Sequence, residues 1–186
     1  MQKQIVLIMG PKNSGKSQCA KALQKEMNWD MADIDDLITW QNGKTPRELY
    51  LEDPELFKEA EAMAFSSALN SETERNGIII SAGGGLIDNA KAIKLLLTQK
   101  ERIKVFLDVS AECAWQRISN SSQMGGLPPF LDKENPRESH LELHRRRAKE
   151  YKAMADIIIN AENKTPETLA KEIVEKLKNY SAKIRA

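Results

Sequence analysis

Apolar residues occur along this chain in short, nearly unbroken runs rather than in alternation with polar residues. The runs cover residues 5–9, 78–80, 103–109 and 157–159, and residues 31–34 form a shorter fifth candidate. Continuous runs rich in isoleucine and valine are typical of strands that are covered on both faces, as in a parallel sheet. We therefore predict five short parallel strands.

Between these runs, apolar residues recur at intervals of three or four, which predicts amphipathic helices. The predicted helices lie over residues 15–27, 56–67, 90–97 and 141–155, and a last one begins at Thr165 with Pro166 in its first turn. Strands that alternate with helices predict a three-layer α/β/α sandwich around a short parallel sheet. The length of 186 residues suits a single domain that spans residues 1–186.

Two polar segments interrupt this alternation. Residues 36–62 form a mostly helical insertion after the second strand, where a substrate could bind. Residues 119–136 are rich in glycine and proline, and a loop of this length inside a compact domain is usually functional. We interpret this second stretch as a lid.

Composition and charge narrow the class of protein. Hydrophobic residues make up 41% and charged residues 30%, and the net charge of +1 argues against a nucleic-acid-binding protein. No apolar run approaches the ~20 residues that cross a membrane, and the chain enters its first strand without a signal peptide. We expect a cytoplasmic protein in which Cys19 and Cys113 are free thiols.

A complete Gly-x-x-x-x-Gly-Lys-Ser motif occupies residues 10–17, between the first strand and the first helix. This context is the one in which the motif forms a phosphate-binding loop, with inward N–H groups at a helix N-terminus. Lys16 would reach the β- and γ-phosphates, and the Ser17 hydroxyl would bind Mg²⁺. The residues expected to surround ATP are Gly10, Pro11, Lys12, Asn13, Ser14, Gly15, Lys16, Ser17 and Gln18.

Carboxylates lie at the carboxyl end of the second predicted strand. Asp33 and Asp35 can both reach the carboxyl edge of the sheet, where ligands of open α/β sheets bind. One carboxylate would help to hold Mg²⁺, and another would accept a proton from the hydroxyl of an acceptor. The alternative is that these residues only cap the helix that begins near Leu37, which we expect of Asp36.

Three glycines, Gly83, Gly84 and Gly85, follow the strand at residues 78–80. Glycines at a strand end allow another molecule to approach the backbone closely. The signal is weak by itself, because a strand-to-helix turn also favours glycine.

Taken together, these motifs resemble the shikimate kinase family from the first strand to about Ile159. The resemblance rests on residues 10–17, Asp33-Ile34-Asp35, Phe57-Lys58-Glu59-Ala60-Glu61, Gly83-Gly84-Gly85, and Arg147 with Tyr151, Ala155 and Asp156. It implies the nucleoside monophosphate kinase-like form of the P-loop NTPase fold. It also implies a phosphotransferase that uses ATP and Mg²⁺ to phosphorylate an alcohol group of shikimate, giving shikimate 3-phosphate and ADP.

The resemblance also implies roles for single residues. Asp33 would lie near Mg²⁺, and Asp35 would bind the ring hydroxyls of the acceptor and act as a base. The other implied contacts are Glu61 and Gly83–Gly85 at the acceptor pocket, Arg147 on the acceptor carboxylate, Arg117 on adenine, and residues 119–136 as a lid over ATP.

The chain departs from the family at two cationic positions. Lys58 stands where the family has an arginine on the acceptor carboxylate, and lysine lacks the planar fork of a guanidinium. The family's lid reads Arg-Pro-Leu-Leu, whereas residues 127–131 here read Leu-Pro-Pro-Phe-Leu. A lid arginine would stabilise charge on the transferred phosphoryl group, and Lys133 and Arg137 are candidates to replace it.

Simpler interpretations stay open for several residues. Lys58 and Glu61 could form a surface ion pair. Arg145–Arg147 could form a solvated basic face, in which Arg147 is the best candidate to point inward. His140 and His144 are expected to be structural, since two ligands make a poor metal site.

Other functions stay open as well. The chain could be a monomeric kinase for shikimate, a kinase for another small hydroxylated acid or polyol, or a nucleotide-binding protein with little turnover.

Overall fold

A computed structural model describes residues 4–72, 75–98, 102–122, 126–131 and 134–185 of the chain. Its strands are β1 (Gln4–Met9), β2 (Asp30–Asp33), β3 (Gly77–Ser81), β4 (Arg102–Asp108) and β5 (Ile157–Asn160). Its helices are α1 (Lys16–Met27), α2 (Ile34–Asn42), α3 (Pro46–Glu52), α4 (Pro54–Asn70), α5 (Ala90–Thr98), α6 (Ala111–Ser122), α7 (Pro136–Met154) and α8 (Pro166–Arg185).

The five strands form one parallel sheet in the order β2-β3-β1-β4-β5. Successive side chains of β1 point to opposite faces, as strand geometry requires. Leu7 and Met9 pack with α2, α4 and α5 on one face, and Val6 and Ile8 pack with α1 and α8 on the other. Because both faces are covered, the apolar runs need no alternation, and the predicted α/β/α sandwich is confirmed.

Strand β1 lies at the centre of the sheet, between β3 and β4. The chain leaves β1 into α1 through the predicted phosphate loop, at a point where the strand order reverses direction. Ligands of open α/β sheets bind at such switch points, beyond the carboxyl ends of the strands.

The segment 36–62 folds as most of α2, all of α3 and the start of α4, and it lies beside β2 at one edge of the sheet. A capping box starts α3: the Thr45 side chain accepts from the Glu48 N–H, and the Glu48 carboxylate accepts from the Thr45 N–H. Asp53 caps α4 by accepting from the Glu55 N–H at 2.9 Å.

The segment 119–136 comprises the end of α6, a 3₁₀ turn at Pro129–Leu131 and the start of α7. Residues 123–125 and 132–133, including Gly125 and the candidate Lys133, lie outside the described part of this segment. Leu131 is buried, so the 3₁₀ turn is anchored to the body of the protein.

Candidate active site

The phosphate loop has the predicted backbone geometry. Gly10 has a φ of 151° and Gly15 a φ of 95°, values that side-chain-bearing residues rarely adopt. Gly15 precedes α1 directly, so the loop's N–H groups lie at a helix N-terminus, where an anion is favoured.

Lys16 is 8% exposed, and its ammonium donates to the Pro11 carbonyl oxygen at 2.9 Å across the loop. Burial lowers the pKa of Lys16 to about 8, and the nearby Asp35 partly opposes this shift. The triphosphate of a nucleotide would favour the charged form of the ammonium, because opposite charges nearby stabilise each other.

Ser17 and Asp33 lie where the carboxyl ends of β1, β2 and β3 meet. The Ser17 hydroxyl is 3.5 Å from the Ser81 hydroxyl at the end of β3. Asp33 Oδ1 accepts from the Asp35 N–H at 3.0 Å, so Asp33, and not Asp36 as expected, is the N-cap of α2. Asp36 lies inside α2, because the helix already starts at Ile34, directly after Asp33.

The other carboxylate oxygen of Asp33, Oδ2, is buried without a hydrogen-bond partner among the described residues. A hydroxyl and an unpartnered carboxylate oxygen beside a phosphate cradle fit Mg²⁺, which binds through few protein oxygens plus phosphates and water. No cluster of three or more His, Cys, Asp or Glu that could hold a metal by itself occurs among the described residues.

Asp35 lies in the first turn of α2 and lines two adjoining cavities. Its side chain is exposed to these two cavities, and the protein around them still partly desolvates the carboxylate. This desolvation raises the pKa of Asp35, and repulsion from Asp33 raises it further, whereas Lys16 lowers it. A carboxylate with a raised pKa is a better proton acceptor.

Glu61 is 1% exposed and accepts from the Asn89 side-chain amide at 2.9 Å. Its second oxygen, Oε1, has no partner among the described residues. Burial raises the pKa of Glu61 to about 7. The open alternative of a surface pair with Lys58 is therefore wrong, because Glu61 points inward.

Two glycines of the triplet, Gly83 and Gly84, pack closely against other segments. A Cβ at Gly83 would lie 2.5 Å from Glu61 Oε1, and a Cβ at Gly84 would lie 2.7 Å from the Lys12 backbone nitrogen. Residues without side chains thus let the β3–α5 turn touch α4 and the phosphate loop at once.

Arg147 on α7 faces the triplet and is held by Asp88 from the following 3₁₀ turn. Its Nε and Nη2 both lie close to Asp88 Oδ2, at 2.8 and 2.7 Å, and its guanidinium packs over the Phe130 ring at 5.5 Å. Arg146 instead binds Asp88 and Glu150 on the outer side of α7. Arg147 is thus the inward member of the basic run, as predicted.

Asp35, the glycine triplet and Arg147 are among the residues that enclose a cavity of about 350 Å³, which we call the acceptor cavity. Its floor is formed by Asp35 and Gly83–Gly85, and its other walls by α3, Arg147 and the 3₁₀ turn of segment 119–136. An adjoining cavity of about 230 Å³, the phosphate cavity, lies against Lys16 and Ser17. The two cavities share Lys12, Asn13, Asp35 and Gly84.

Lys58 is not among the residues that line the acceptor cavity. Its ammonium pairs with Glu55 one turn earlier in α4, at 2.7 Å, and the Lys58 side chain is 40% exposed. Its predicted contact with an acceptor therefore stays a prediction.

Arg117 on α6 lies beside the phosphate loop and donates to the Asn13 carbonyl oxygen at 3.1 Å. With Gln18 and Lys164 it lines a third cavity of about 320 Å³, which also borders Asn13 and Gly15 of the loop. This position agrees with a contact to the nucleoside part of ATP, which also stays a prediction.

Sequence reasoning missed several residues of the acceptor cavity. Arg47, Tyr50 and Phe130 line it, while Asp88 and Asn89 hold its charged side chains in place. Asp88 and Asn89 come three and four positions after Gly85, and this closeness to the triplet was a usable signal. Arg47 carried no motif signal at all.

The remaining polar candidates lie away from the chemistry. His140 and His144 donate from Nε2 to the backbone carbonyls of Ala111 and Val109, at 3.2 and 2.9 Å, so they tie α7 to the β4–α6 turn as expected of structural residues. Arg137 pairs with Glu112 at the surface and does not line the acceptor cavity.

A wider groove of about 790 Å³ lies outside α1 and α2 and is lined by residues such as Lys25, Trp40 and Glu167. Asp33 and Gln18 line it from the side of the phosphate loop, but it contains neither Lys16 nor Asp35 nor any residue of the glycine triplet. We therefore place the candidate active site in the smaller joined cavities. Within the residues that the structure describes, no helix is both long enough and apolar enough to cross a membrane.

Comparisons with known proteins agree with this geometry. Residues 12–178 match the profile of a family described as shikimate kinase. A shikimate kinase of Sulfurihydrogenibium sp. (strain YO3AOP1) is 32% identical over 93% of this chain and 97% of its own length. A shikimate kinase of Lactococcus lactis subsp. lactis (strain IL1403) is 31% identical over 92% of this chain and 96% of its own length.

Solved structures agree on the fold. A shikimate kinase from Acinetobacter baumannii in complex with shikimate superposes with a TM-score of 0.81 at 22% identity, covering 96% of this chain and 94% of that one. The shikimate kinase from Aquifex aeolicus superposes with a TM-score of 0.77 at 24% identity, covering 96% of this chain and 98% of that one. The profile match and the relatives above 30% identity, over almost the whole chain, show that the chain belongs to the shikimate kinase family.

Proposed function

We propose that this protein transfers the γ-phosphoryl group of ATP to a hydroxyl of shikimate, giving shikimate 3-phosphate and ADP. Family membership supports the reaction class. The observation that carries the proposal is the position of Asp35, which lines both the phosphate cavity and the acceptor cavity. A hydroxyl beside Asp35 would therefore lie next to the phosphates of a nucleotide.

In the transfer step, the acceptor oxygen forms a bond to the γ-phosphorus while the bridging bond to ADP breaks. Asp35 accepts the proton of the attacking hydroxyl, a role that its raised pKa favours. Phosphoryl transfer depends mainly on positioning and charge stabilisation, which the buried cradle around Lys16 provides.

Ser17 and Asp33 would hold Mg²⁺, which neutralises charge on the phosphates when it is bound. The unpartnered Oδ2 of Asp33 supports this assignment. Lys16 would add a positive charge on the β- and γ-phosphates, with Gly10–Ser17 contributing backbone N–H donors.

For the acceptor, Arg147 would bind the carboxylate and Glu61 would shape the wall against Gly83. The predicted lid segment 119–136 would exclude water from the joined cavities. We propose a monomer as the working form.

Because Lys58 pairs with Glu55, another small hydroxylated acid is the second candidate acceptor. ADP release measured with shikimate, quinate and gluconate decides between them. Turnover with shikimate alone supports the proposal, and turnover with only another acid would contradict it. Tight ATP binding without turnover on any acid would favour a nucleotide-binding protein instead.

Asp35→Asn should lower kcat by about 10²- to 10⁴-fold, because it removes the proton acceptor. ATP affinity, measured by calorimetry, should change little. The matched control is Asp36→Asn, since Asp36 lines neither of the joined cavities. Equal rates for the two variants would exclude Asp35 as the base.

A further inference from the structure

Arg47 occupies a fixed position at the rim of the acceptor cavity. It is the second residue of α3, whose start is set by Pro46 and by the capping box between Thr45 and Glu48. Arg47 and Tyr50 are three positions apart, so they lie on the same face of the helix, and both line the cavity.

The Arg47 guanidinium reaches across the cavity mouth to the predicted lid segment. Its Nη1 donates to the Leu127 carbonyl oxygen at 2.7 Å, a contact between residues 80 positions apart. Its Nη2 lies 3.5 Å from the position that a Cβ on Gly126 would take. The guanidinium is therefore held at the boundary between α3 and this segment.

Charge compensation distinguishes Arg47 from the other cations near the cavity. Arg147 is paired with Asp88, and Lys58 is paired with Glu55. Arg47 forms no ion pair with any carboxylate among the described residues, although it is exposed to the cavity. Lys12 also lines the cavity, but it belongs to the phosphate loop and is shared with the phosphate cavity.

An arginine with spare N–H donors at the wall of a concave site is suited to a planar anion. A guanidinium binds a carboxylate through two parallel hydrogen bonds, which a lysine ammonium cannot do. Arg47 does not line the phosphate cavity, so its position favours the acceptor rather than the nucleotide.

We propose that Arg47 binds the carboxylate of the acceptor and determines the preference for an acid. The acceptor's carboxylate then lies between Arg47 and Arg147, and the Leu127 carbonyl orients the Arg47 guanidinium. This inference rests on the proposed function and names the part of the acceptor that this side chain recognises.

The test compares the KM of shikimate with that of its neutral methyl ester. Arg47→Ala should raise the KM of shikimate by about 10- to 100-fold, since hydrogen bonds to a charged group are lost. It should leave the KM of ATP and the KM of the ester within a factor of about two of the wild-type values. Arg47→Lys should recover only part of the loss, because it restores charge without the fork.

The matched control is Arg137→Ala, an exposed arginine of α7 that pairs with Glu112 outside the cavity. Thermal unfolding of both variants checks that they fold. Equal losses on acid and ester, or a rise in the KM of ATP, would show Arg47 to be only a latch for the segment 119–136 and would overturn the inference. A lower kcat with unchanged KM would also overturn it and assign Arg47 to the phosphoryl group.

The two proposals fail in different ways. Wild-type turnover of shikimate together with an unchanged Arg47→Ala variant overturns this inference alone. Absence of wild-type turnover on shikimate overturns the proposed function and this inference with it.

Discussion

Glu61 is a buried carboxylate that packs against Gly83, and its burial opposes its ionisation. Its pKa is raised from 4.5 to about 7, mainly by desolvation, while Asn89 supplies a compensating hydrogen bond. The folded protein therefore keeps a proton on Glu61 over a pH range in which the unfolded chain releases it. The sign of the linkage follows: the free energy of unfolding falls as the pH rises from about 4.5 to 7.

Glu61→Gln removes this titration while keeping an oxygen that can accept from Asn89. We expect the variant to be more stable than the wild type, by a margin that grows by about 2 kcal/mol between pH 5 and pH 8. Denaturant unfolding at the two pH values measures the margin.

Glu59→Gln is the matched control for this prediction, because Glu59 is exposed and pairs with Lys91 at the surface. It should change stability equally at both pH values. A margin for Glu61→Gln that does not depend on pH would show that Glu61 is ionised in the folded protein.

At the level of single residues, the triplet Gly83–Gly85 shows how chemistry and packing coincide. Gly83 packs against Glu61, Gly84 against Lys12, and Gly85 lies beside Arg147. Each glycine therefore brings a different functional side chain or loop to the same turn.

At the level of elements, α4 carries Lys58 in its second turn, outside the lining of the acceptor cavity. The cap at Asp53 fixes the first turn of α4, and the i,i+3 spacing lets Glu55 pair with Lys58. Both side chains are exposed to solvent, so the pair is weak and an anionic acceptor can compete for the ammonium.

We predict that Lys58→Ala weakens acceptor affinity more than ATP affinity, and that Glu55→Gln strengthens acceptor binding by up to about fivefold. The second effect follows because Glu55→Gln frees the ammonium without moving it. Titration calorimetry with shikimate and with ATP measures both affinities. Equal effects on the two ligands, or none, would identify Lys58 as a surface residue.

At the level of the whole molecule, the site joins elements that are distant in the chain. The phosphate loop follows β1, Asp35 follows β2, the glycine triplet follows β3, and Arg147 comes from α7. Parallel strands bring their carboxyl ends to one edge of the sheet, and this edge carries both cavities.

The segment 119–136 is linked to this edge on both sides. The Asn13 side chain lies 3.4 Å from the Ser121 hydroxyl, and Arg47 binds the Leu127 carbonyl. We predict that Mg·ATP slows proteolytic cleavage within residues 119–136, because the nucleotide adds contacts between this segment and the phosphate loop.

Limited proteolysis with and without Mg·ATP, read by mass spectrometry, checks this expectation. Lys16→Met should abolish the protection, since Lys16 lies in the phosphate cradle, whereas Lys21→Met on the exposed side of α1 should retain it. Cleavage that is insensitive to the nucleotide in the wild type would argue against a lid.

Patterns local in sequence determined much of this protein. The apolar runs predicted parallel strands because a strand buried on both faces needs no polar positions, and the motif at residues 10–17 predicted the phosphate loop because its glycines allow positive φ. Asp33 and Asp35 were identified as site residues because they lie at the carboxyl end of a predicted strand. Each of these inferences depends on neighbouring residues alone.

Tertiary structure decided what depends on contacts between distant segments. The strand order β2-β3-β1-β4-β5 arises from packing of helices on both faces, and no local pattern encodes it. The inward position of Glu61 depends on Asn89, 28 positions away, and the orientation of Arg47 depends on Leu127. Hydrogen bonds and burial between such residues exist only after the chain has folded, so the sequence could name the phosphate loop but not the position of Arg47 at the rim of the acceptor cavity.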